Sequence, residues 1–509
     1  MEGNAIHIKA FPSRIKVYPY HKGDSPTLEK RLSIYDYRNH EYGMTLYFVD
    51  IKNECIWVPR GYSITETVKA LEADDYYEIM NDGEGKPIPG RNVSINMRPG
   101  IAAKDEHQIN SVTFLVEDSP ESYQKFLNID TGYGKTFCDI KAISLLSYPA
   151  MIILSKSGLI EQWKKCFKTY TYCKDEDIFI VQGRDSMRRA INEARSGKGA
   201  KVYLCATQTC AIAAEEGELQ EFTEACDIGV KTIDEAHEMM KATTTIDLGC
   251  DVMYNFYLTA TPERSKSVED LMYNKITKTF KRFGAYTGDL MKYTHVKNVH
   301  INTRPSPWHQ RIARTRNGFS GVIYEKYIFK NDRKTVFFYL IIKYIALQLL
   351  ERDPEAKILV IFSMTDSINK ISDLFWKNDK ISCGKYISGN GSDKTSKEKK
   401  EKALRKSIIL STIKSSGAGL DIPNLRTIIN FVPFKSPVLL HQLFGRLRYI
   451  PGKALFYFNI VDDGYEDIVR QNFHRQRFFK QKSRDIKELS LNMEMLLNKF
   501  YIRRNDHYE

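Results

Sequence analysis

The chain has 509 residues, 42% of them apolar and 27% charged, with lysine plus arginine exceeding aspartate plus glutamate by 76 to 63 for a net charge of +13. Such a length suits about three or four folding units, and the balance of apolar and charged residues excludes a disordered or fibrous chain. The basic excess favours a polyanionic partner, nucleic acid first. Nine cysteines show no Cys-x-x-Cys pair or zinc-type spacing, so a reduced, cytoplasmic setting without a disulfide framework or structural metal is expected.

The opening Met1-Glu2-Gly3-Asn4 lacks the charged-then-apolar pattern of a secretion signal. Residues 1–95 carry alternating tracts such as Thr45-Leu46-Tyr47-Phe48-Val49 and Cys55-Ile56-Trp57-Val58, with a turn over Asn81–Gly85, and predict a small β-rich accessory domain. From about Gln124 onward, short apolar runs alternate with helix-length segments, the pattern of parallel sheets covered by helices. The first set of predicted strands is Phe126–Asp130, Ala150–Ser155, Ile178–Gln182, Val202–Ala206, Gly229–Ile233 and Asn255–Thr259. Residues 285–333 have weak periodicity and read as the connection between two lobes plus the start of the second. Val336–Leu350 is apolar but contains Lys343 and Gln348, so it reads as a buried helix rather than a bilayer span, and no membrane partner is expected. The second set is Ile358–Phe362, Lys385–Ser388, Ile408–Thr412, Thr427–Phe431 and Leu455–Val461. The expected α/β organisation is therefore an accessory domain over 1–95, a first lobe over 96–285, a connection plus second lobe over 286–485, and a tail over 486–509. Lys394–Lys406, almost all charged or hydroxylated, reads as an exposed helix face; Arg470–Arg484, with Arg475, Arg477, Lys480 and Lys482 among Phe473, Phe478 and Phe479, fits either strand contact or a docked amphipathic helix.

The chemistry concentrates after the first strand of each set. Asp130-Thr131-Gly132-Tyr133-Gly134-Lys135-Thr136 leads from a strand into a helix. A turn of this kind aims backbone N–H groups at phosphate oxygens, sets the positive helix end behind them, and lets a lysine reach the β and γ phosphates while a threonine hydroxyl holds Mg2+. The full phosphate-loop pattern starts with glycine, where this chain has Ile129. Further on, the strand ending at Ile233 delivers Asp234-Glu235-Ala236-His237 to the carboxyl end of a sheet, where Asp234 suits the metal and Glu235 suits activation of the attacking water. The same two acids could simply cap the next helix. Leu258-Thr259-Ala260-Thr261-Pro262 follows another strand end.

These blocks, in this order, resemble motifs I, II and III of superfamily 2 DEAH-type helicases, and the likeness extends over about residues 100–465. It implies two tandem RecA-like lobes, ATP and Mg2+ as cofactors, and nucleic-acid translocation as the activity. Gln108 resembles the glutamine that reads adenine, so the nucleotide-binding set becomes Gln108, Thr131, Gly132, Gly134, Lys135, Thr136, Gly419 and Asp421, with Thr136 and Asp234 on the metal. Leu159, Gln162 and Trp163 resemble the block after the second strand. Thr207, Gln208, Ser363, Gly389 and Thr412 stand where the family grips the nucleic-acid backbone, though several could equally be helix starts. Ser411-Thr412 with Gly417-Ala418-Gly419-Leu420-Asp421 resembles motif V, and His441-Gln442-Leu443-Phe444-Gly445-Arg446-Leu447-Arg448 resembles motif VI. The implied catalytic groups are Glu235, His237, Gln442, Arg446 and Arg448. The family spaces its two arginines by three residues; here Tyr449 occupies that position and Arg448 comes one residue early, which favours Arg446 as the arginine finger.

Within the superfamily, the size, the β-rich front and the segments Glu325-Lys326-Tyr327 and Asn331-Asp332-Arg333-Lys334 resemble phage UvsW-type branch-migration DNA helicases. That likeness implies a DNA-binding front domain, branched DNA as substrate, a monomer working with recombination or replication proteins, and the cytoplasm of a host cell. An RNA helicase and an ATP-gated nucleic-acid clamp with weak hydrolysis are the competing readings.

Overall fold

The protein is described from a computed structural model over residues 6–36, 41–71, 77–80, 91–117, 124–129, 132–236, 239–259, 267–284, 292–316, 318–387, 397–416 and 422–498. It divides into two units, 1–286 and 287–509.

Parallel strands buried on both faces have to be almost wholly apolar, and the central runs of the first unit meet that demand: Ala150–Leu154 and Tyr254–Thr259 are buried at every position. The sheet they form has seven parallel strands in the spatial order Ile178–Val181, Val202–Ala206, Ala150–Leu154, Val230–Asp234, Tyr254–Thr259, Gln124–Asn128, Lys281–Gly284. The second unit has a seven-stranded parallel sheet as well, ordered Gly384–Tyr386, Ile408–Thr412, Lys357–Phe362, Leu425–Asn430, Leu455–Asp462, Thr294–Ile301, Asp485–Ser490. Numbered within its own unit, each sheet runs 3-4-2-5-6-1-7. The lobes are thus two copies of one RecA-like architecture, preceded by a small β-rich region.

Three strands of the two lobe sheets were not expected: Lys281–Gly284, Thr294–Ile301 and Asp485–Ser490. The first and last are edge strands, where one flank meets solvent and the sequence stays polar. Thr294–Ile301 falls in the segment read as the connection plus the start of the second lobe, and Asp485–Ser490 pairs with it in parallel, so sheet pairing continues into the residues assigned to a tail.

The amino-terminal region packs on the first lobe. Its five-stranded sheet runs Phe48–Asp50, Cys55–Pro59, Arg14–Tyr18, Ile6–Ala10, Tyr77–Met80, antiparallel except for the last pair. Helices Pro26–Arg31 and Ile64–Leu71 contribute Leu28 and Ala70 to a core with Ile8, Ile15, Val17, Ile56 and Val58, and that core is continuous with Ile246 and Phe280 of the lobe. Buried polar groups tie the junction: Arg14 Nε donates to Asp251 Oδ2 at 2.7 Å and Arg14 Nη1 to the Leu248 carbonyl at 2.6 Å. Lys231, fully buried in its strand, meets Asp247 at 2.7 Å and Ser13 Oγ at 3.3 Å. A buried charge without a partner costs several kcal/mol, about 3–5 when one member of such a pair is deleted, so these contacts hold the two parts in register.

In the second unit, Asp332–Arg352 forms the long buried helix expected around Val336–Leu350. Among the described residues no helix is long and apolar enough to cross a membrane. Glu466–Lys482 is a helix that buries Ile468, Gln471, Asn472, Arg475 and Phe479, which is the docked-helix alternative for that basic and aromatic segment; Phe473 remains 77% exposed.

Candidate nucleotide site and strand contacts

The phosphate loop begins where Gln124–Asn128 leaves the sheet. Gly132 and Gly134 adopt φ of 84° and 115°, left-handed values that an L side chain resists, and Gly134 caps the helix Lys135–Leu146. Space forbids a side chain there too, since a Cβ on Gly134 would lie 2.5 Å from Gln108 Nε2. Gln108, buried in the helix Glu106–Val116, donates through Nε2 to the Tyr133 carbonyl at 2.7 Å and accepts at Oε1 from the Lys104 N–H at 2.8 Å. Its amide therefore clamps the loop from the side, in addition to any part in reading a base. Asp130 and Thr131 lie outside the described residues.

One strand separates Gln124–Asn128 from Val230–Asp234, and the second of these carries its acids to the same edge. Lys135 Nζ lies 3.0 Å from Glu235 Oε1, both side chains largely buried. Glu235 takes a positive φ of 50°, which turns the chain sharply at the strand end. Asp234 accepts from the Glu235 N–H at Oδ1, 3.0 Å, and from Trp163 Nε1 at Oδ2, 2.9 Å. Burial, then the neighbouring Glu235 charge, push the Asp234 carboxyl up to about 6 against the opposing pull of Lys135 and the Trp163 indole. Below it, Thr232 Oγ1 bonds both oxygens of Asp139, at 3.0 and 3.1 Å, and burial holds that acid well above the usual carboxylate range. His237 and Ala260–Pro262 lie outside the described residues.

Mg2+ prefers hard oxygen donors and usually keeps several waters and phosphate oxygens in its shell, so one carboxylate and one hydroxyl suffice from protein. Asp234, a carboxyl raised by burial and by the neighbouring Glu235 charge, and Thr136, in the first turn of the phosphate-loop helix, fit that requirement.

The strand-contact candidates are presented differently from one another. Thr207 and Gln208 open the helix Thr207–Glu215 at the end of Val202–Ala206, with Thr207 buried and Gln208 exposed. In the second lobe the Ser363 and Met364 N–H groups both donate to Glu325, at 2.5 and 2.9 Å, just before the helix Thr365–Asp379. Thr412 turns its hydroxyl to Ser415 Oγ at 2.8 Å and is buried, so its side chain closes a local turn rather than facing outward. Gly389, Gly419 and Asp421 lie outside the described residues. The helix Pro437–Phe444 ends before either arginine, and Gln442 sits on its half-buried side. Arg446 is half-buried and close enough to Tyr386 to oppose the burial-driven rise of that phenol, whereas Arg448 is exposed. Because both follow the helix end, their two-residue spacing is set by a turn and not by helical periodicity.

Two family models match: the res subunit of type III restriction enzymes over residues 102–264, and the helicase conserved C-terminal domain over 341–449, together more than half of the chain. Their order, on two lobes of the same strand topology, is that of the superfamily 2 helicases, and it supports ATP-dependent action on nucleic acid as the activity. A transcript termination protein of Yaba monkey tumor virus (strain VR587) is 23% identical over 378 residues, 70% of each chain. Among solved structures, a variant of S. cerevisiae Dbp5 bound to RNA and ADP BeF3 shares the fold at 12% identity and a TM-score of 0.51, covering 79% of this chain and 93% of that one. T4 UvsW is 15% identical and covers 96% of this chain and 100% of its own, with a TM-score of 0.36.

Proposed function

We propose that the edge of the first sheet bearing Lys135, Asp234 and Glu235 is the ATPase centre of a nucleic-acid motor, and that the polymer it moves on is DNA with a branch or fork. The observation that carries this reading is the Lys135–Glu235 contact at 3.0 Å beside a metal-suited carboxyl. Without nucleotide the ammonium and the carboxylate neutralise each other. A triphosphate offers Lys135 more negative charge than Glu235 does, so binding draws the lysine onto the β and γ oxygens and leaves Glu235 to orient and deprotonate the attacking water. Thr136 and Asp234 would hold Mg2+, which when bound offsets charge on the same oxygens. Arg446, with Arg448 second, is proposed to stabilise charge developing on the transferred phosphoryl group, and Gln442 and His237 to complete the set. Thr207, Gln208, Ser363 and the 389 and 412 segments are proposed to grip the strand.

The choice of branched DNA rests on the sequence likeness to UvsW-type helicases. RNA is the second reading, favoured by the viral relative, which is named for transcript termination. ATP turnover and strand displacement measured with forked DNA, four-way junctions, single strands and RNA duplexes separate them. Strongest stimulation by forks and junctions is expected; stimulation by RNA alone replaces DNA with RNA, and near-zero turnover with every polymer replaces the motor with a clamp.

A further inference from the structure

We infer that the outward face of the amino-terminal sheet is a stacking platform for single-stranded nucleic acid, a second contact with the polymer that rests on the motor reading for its purpose but not for its chemistry. Alternation along the strands sends Ile8, Ile15, Val17, Ile56 and Val58 into the core and turns His7, Lys9, Lys16, Tyr18, Trp57 and Phe48 to the opposite face. The register lines these up across four strands: His7 opposite Tyr18, Lys9 opposite Lys16, Lys16 opposite Trp57, and Trp57 opposite Phe48.

Basic and aromatic groups interleave on that face. His7 stacks on Tyr18 at 5.2 Å, Lys16 Nζ lies 4.9 Å from the Tyr18 ring and 5.7 Å from Trp57, and Lys9 Nζ lies 5.5 Å from Phe11. Phe11 meets Trp57 at 5.7 Å, and Arg14, anchored on Asp251, lies 3.7 Å from the Trp57 ring. Trp57 is thereby fixed to the lobe, while Phe48 is 49% exposed.

Stacking and cation–π contacts account for the rings, but the two opposed lysines run against what folding favours. Like charges directly opposite in an antiparallel pair destabilise it, and neither Lys9 nor Lys16 pairs with a carboxylate among the described residues. The acid on the same face, Asp50, accepts from the Asn53 N–H and side-chain amide and feels the Lys16 charge more weakly. A polyanion whose bases have π faces answers both features, phosphates meeting the lysines and bases meeting the rings. Four strands span about 14 Å, room for about two or three stacked bases. A duplex hides its base faces and gains only the charge.

The test uses the full chain without nucleotide, titrated with labelled oligothymidylate, oligouridylate and a blunt DNA duplex. Tyr18→Ala and Phe48→Ala should each weaken single-strand binding about tenfold. Lys9→Gln with Lys16→Gln should make the salt dependence of single-strand affinity shallower by about 1.4 in log–log slope. Lys22→Gln, in an exposed turn, serves as the control and should bind as the parent does. The two oligonucleotides distinguish DNA from RNA as the source of the strand. Should Tyr18→Ala lower the melting temperature sharply, Phe48→Ala and the lysine pair decide. Parental affinity and slope in those variants, or equal losses on the duplex, overturn the platform and leave the face to a protein partner. Because no ATP is present, a chain that binds through this face but never hydrolyses ATP refutes the motor and leaves the platform standing.

Discussion

The two lobes share one strand order, yet their carboxyl edges are finished in opposite ways. In the first, the fifth strand ends at Asp234, a buried acid raised to about 6, beside the Lys135–Glu235 contact. In the second, the fifth strand ends at Asn430, whose amide both donates to and accepts from the backbone of Val432, at 3.1 and 3.2 Å. The sixth strand there ends at Asp462, which accepts from the Thr303 N–H at 3.1 Å and from Tyr324 at 3.3 Å. One edge keeps charged groups poised on each other, ready to exchange partners; the other satisfies its polar groups internally. Duplicated architecture thus fixes where chemistry can sit, and a handful of side chains at strand ends decides which copy performs it.

The largest break in that asymmetry is Lys135→Ala. It should reduce ATP turnover to the protein-free rate, on the order of a thousandfold or more, while nucleic-acid binding persists. Near-normal turnover in a steady-state phosphate-release assay would remove the first edge from consideration. If the second lobe contributes through motif VI, Arg446→Ala should cost about a thousandfold in turnover and Arg448→Ala far less, because the first is half-buried in the turn and the second is exposed. The reverse ranking would assign the finger to Arg448.

Trp163→Phe sharpens the same comparison with a smaller effect. Phenylalanine keeps most of the ring packing but removes the N–H that meets Asp234 at 2.9 Å. The Mg2+ concentration for half-maximal turnover should rise about tenfold, with the rate at saturating Mg2+ changed much less. An unchanged Mg2+ requirement, with only a lower melting temperature, would make Trp163 a packing residue.

That Lys135 and the Asp234-Glu235 pair come to one sheet edge was legible because the two acids end an apolar run and Lys135 opens the helix that follows another, and such runs mark the strands of a buried parallel sheet. The partner of Asp234 was not, since Trp163 is 71 residues away and reaches it only through the order of the strands. Asp139 was not singled out, since nothing local announces that its helix packs over Thr232. The attachment of the amino-terminal sheet was hidden for the same reason, as Arg14 and Asp251 are 237 positions apart. Thr294–Ile301 was missed because its buried positions include Thr294 and Asn298, and Asn298 is satisfied by Glu488 at 2.8 Å, a residue of a strand that was itself missed.

That missed strand offers the smallest and most local test. His300 joins the end of the sixth strand to the edge strand, with Nδ1 2.8 Å from Asp463 and Nε2 2.9 Å from Glu488. Burial alone would depress its pKa, but the two carboxylates outweigh burial and the result is raised. A group raised on folding stabilises the folded state fully below its unfolded pKa, and that contribution disappears as pH climbs through the folded value. The docking of Asp485–Ser490 should therefore weaken as pH rises above the ordinary imidazole value of about 6.5, seen as faster amide exchange in that strand after correction for intrinsic rates. The contribution of so exposed a pair is about 0.2–1 kcal/mol. His300→Gln should abolish the pH step while the exchange of Leu425–Asn430, in the sheet interior, stays as it was. A step that survives the substitution would transfer the titration to another group and leave the seventh strand held by its backbone ladder alone.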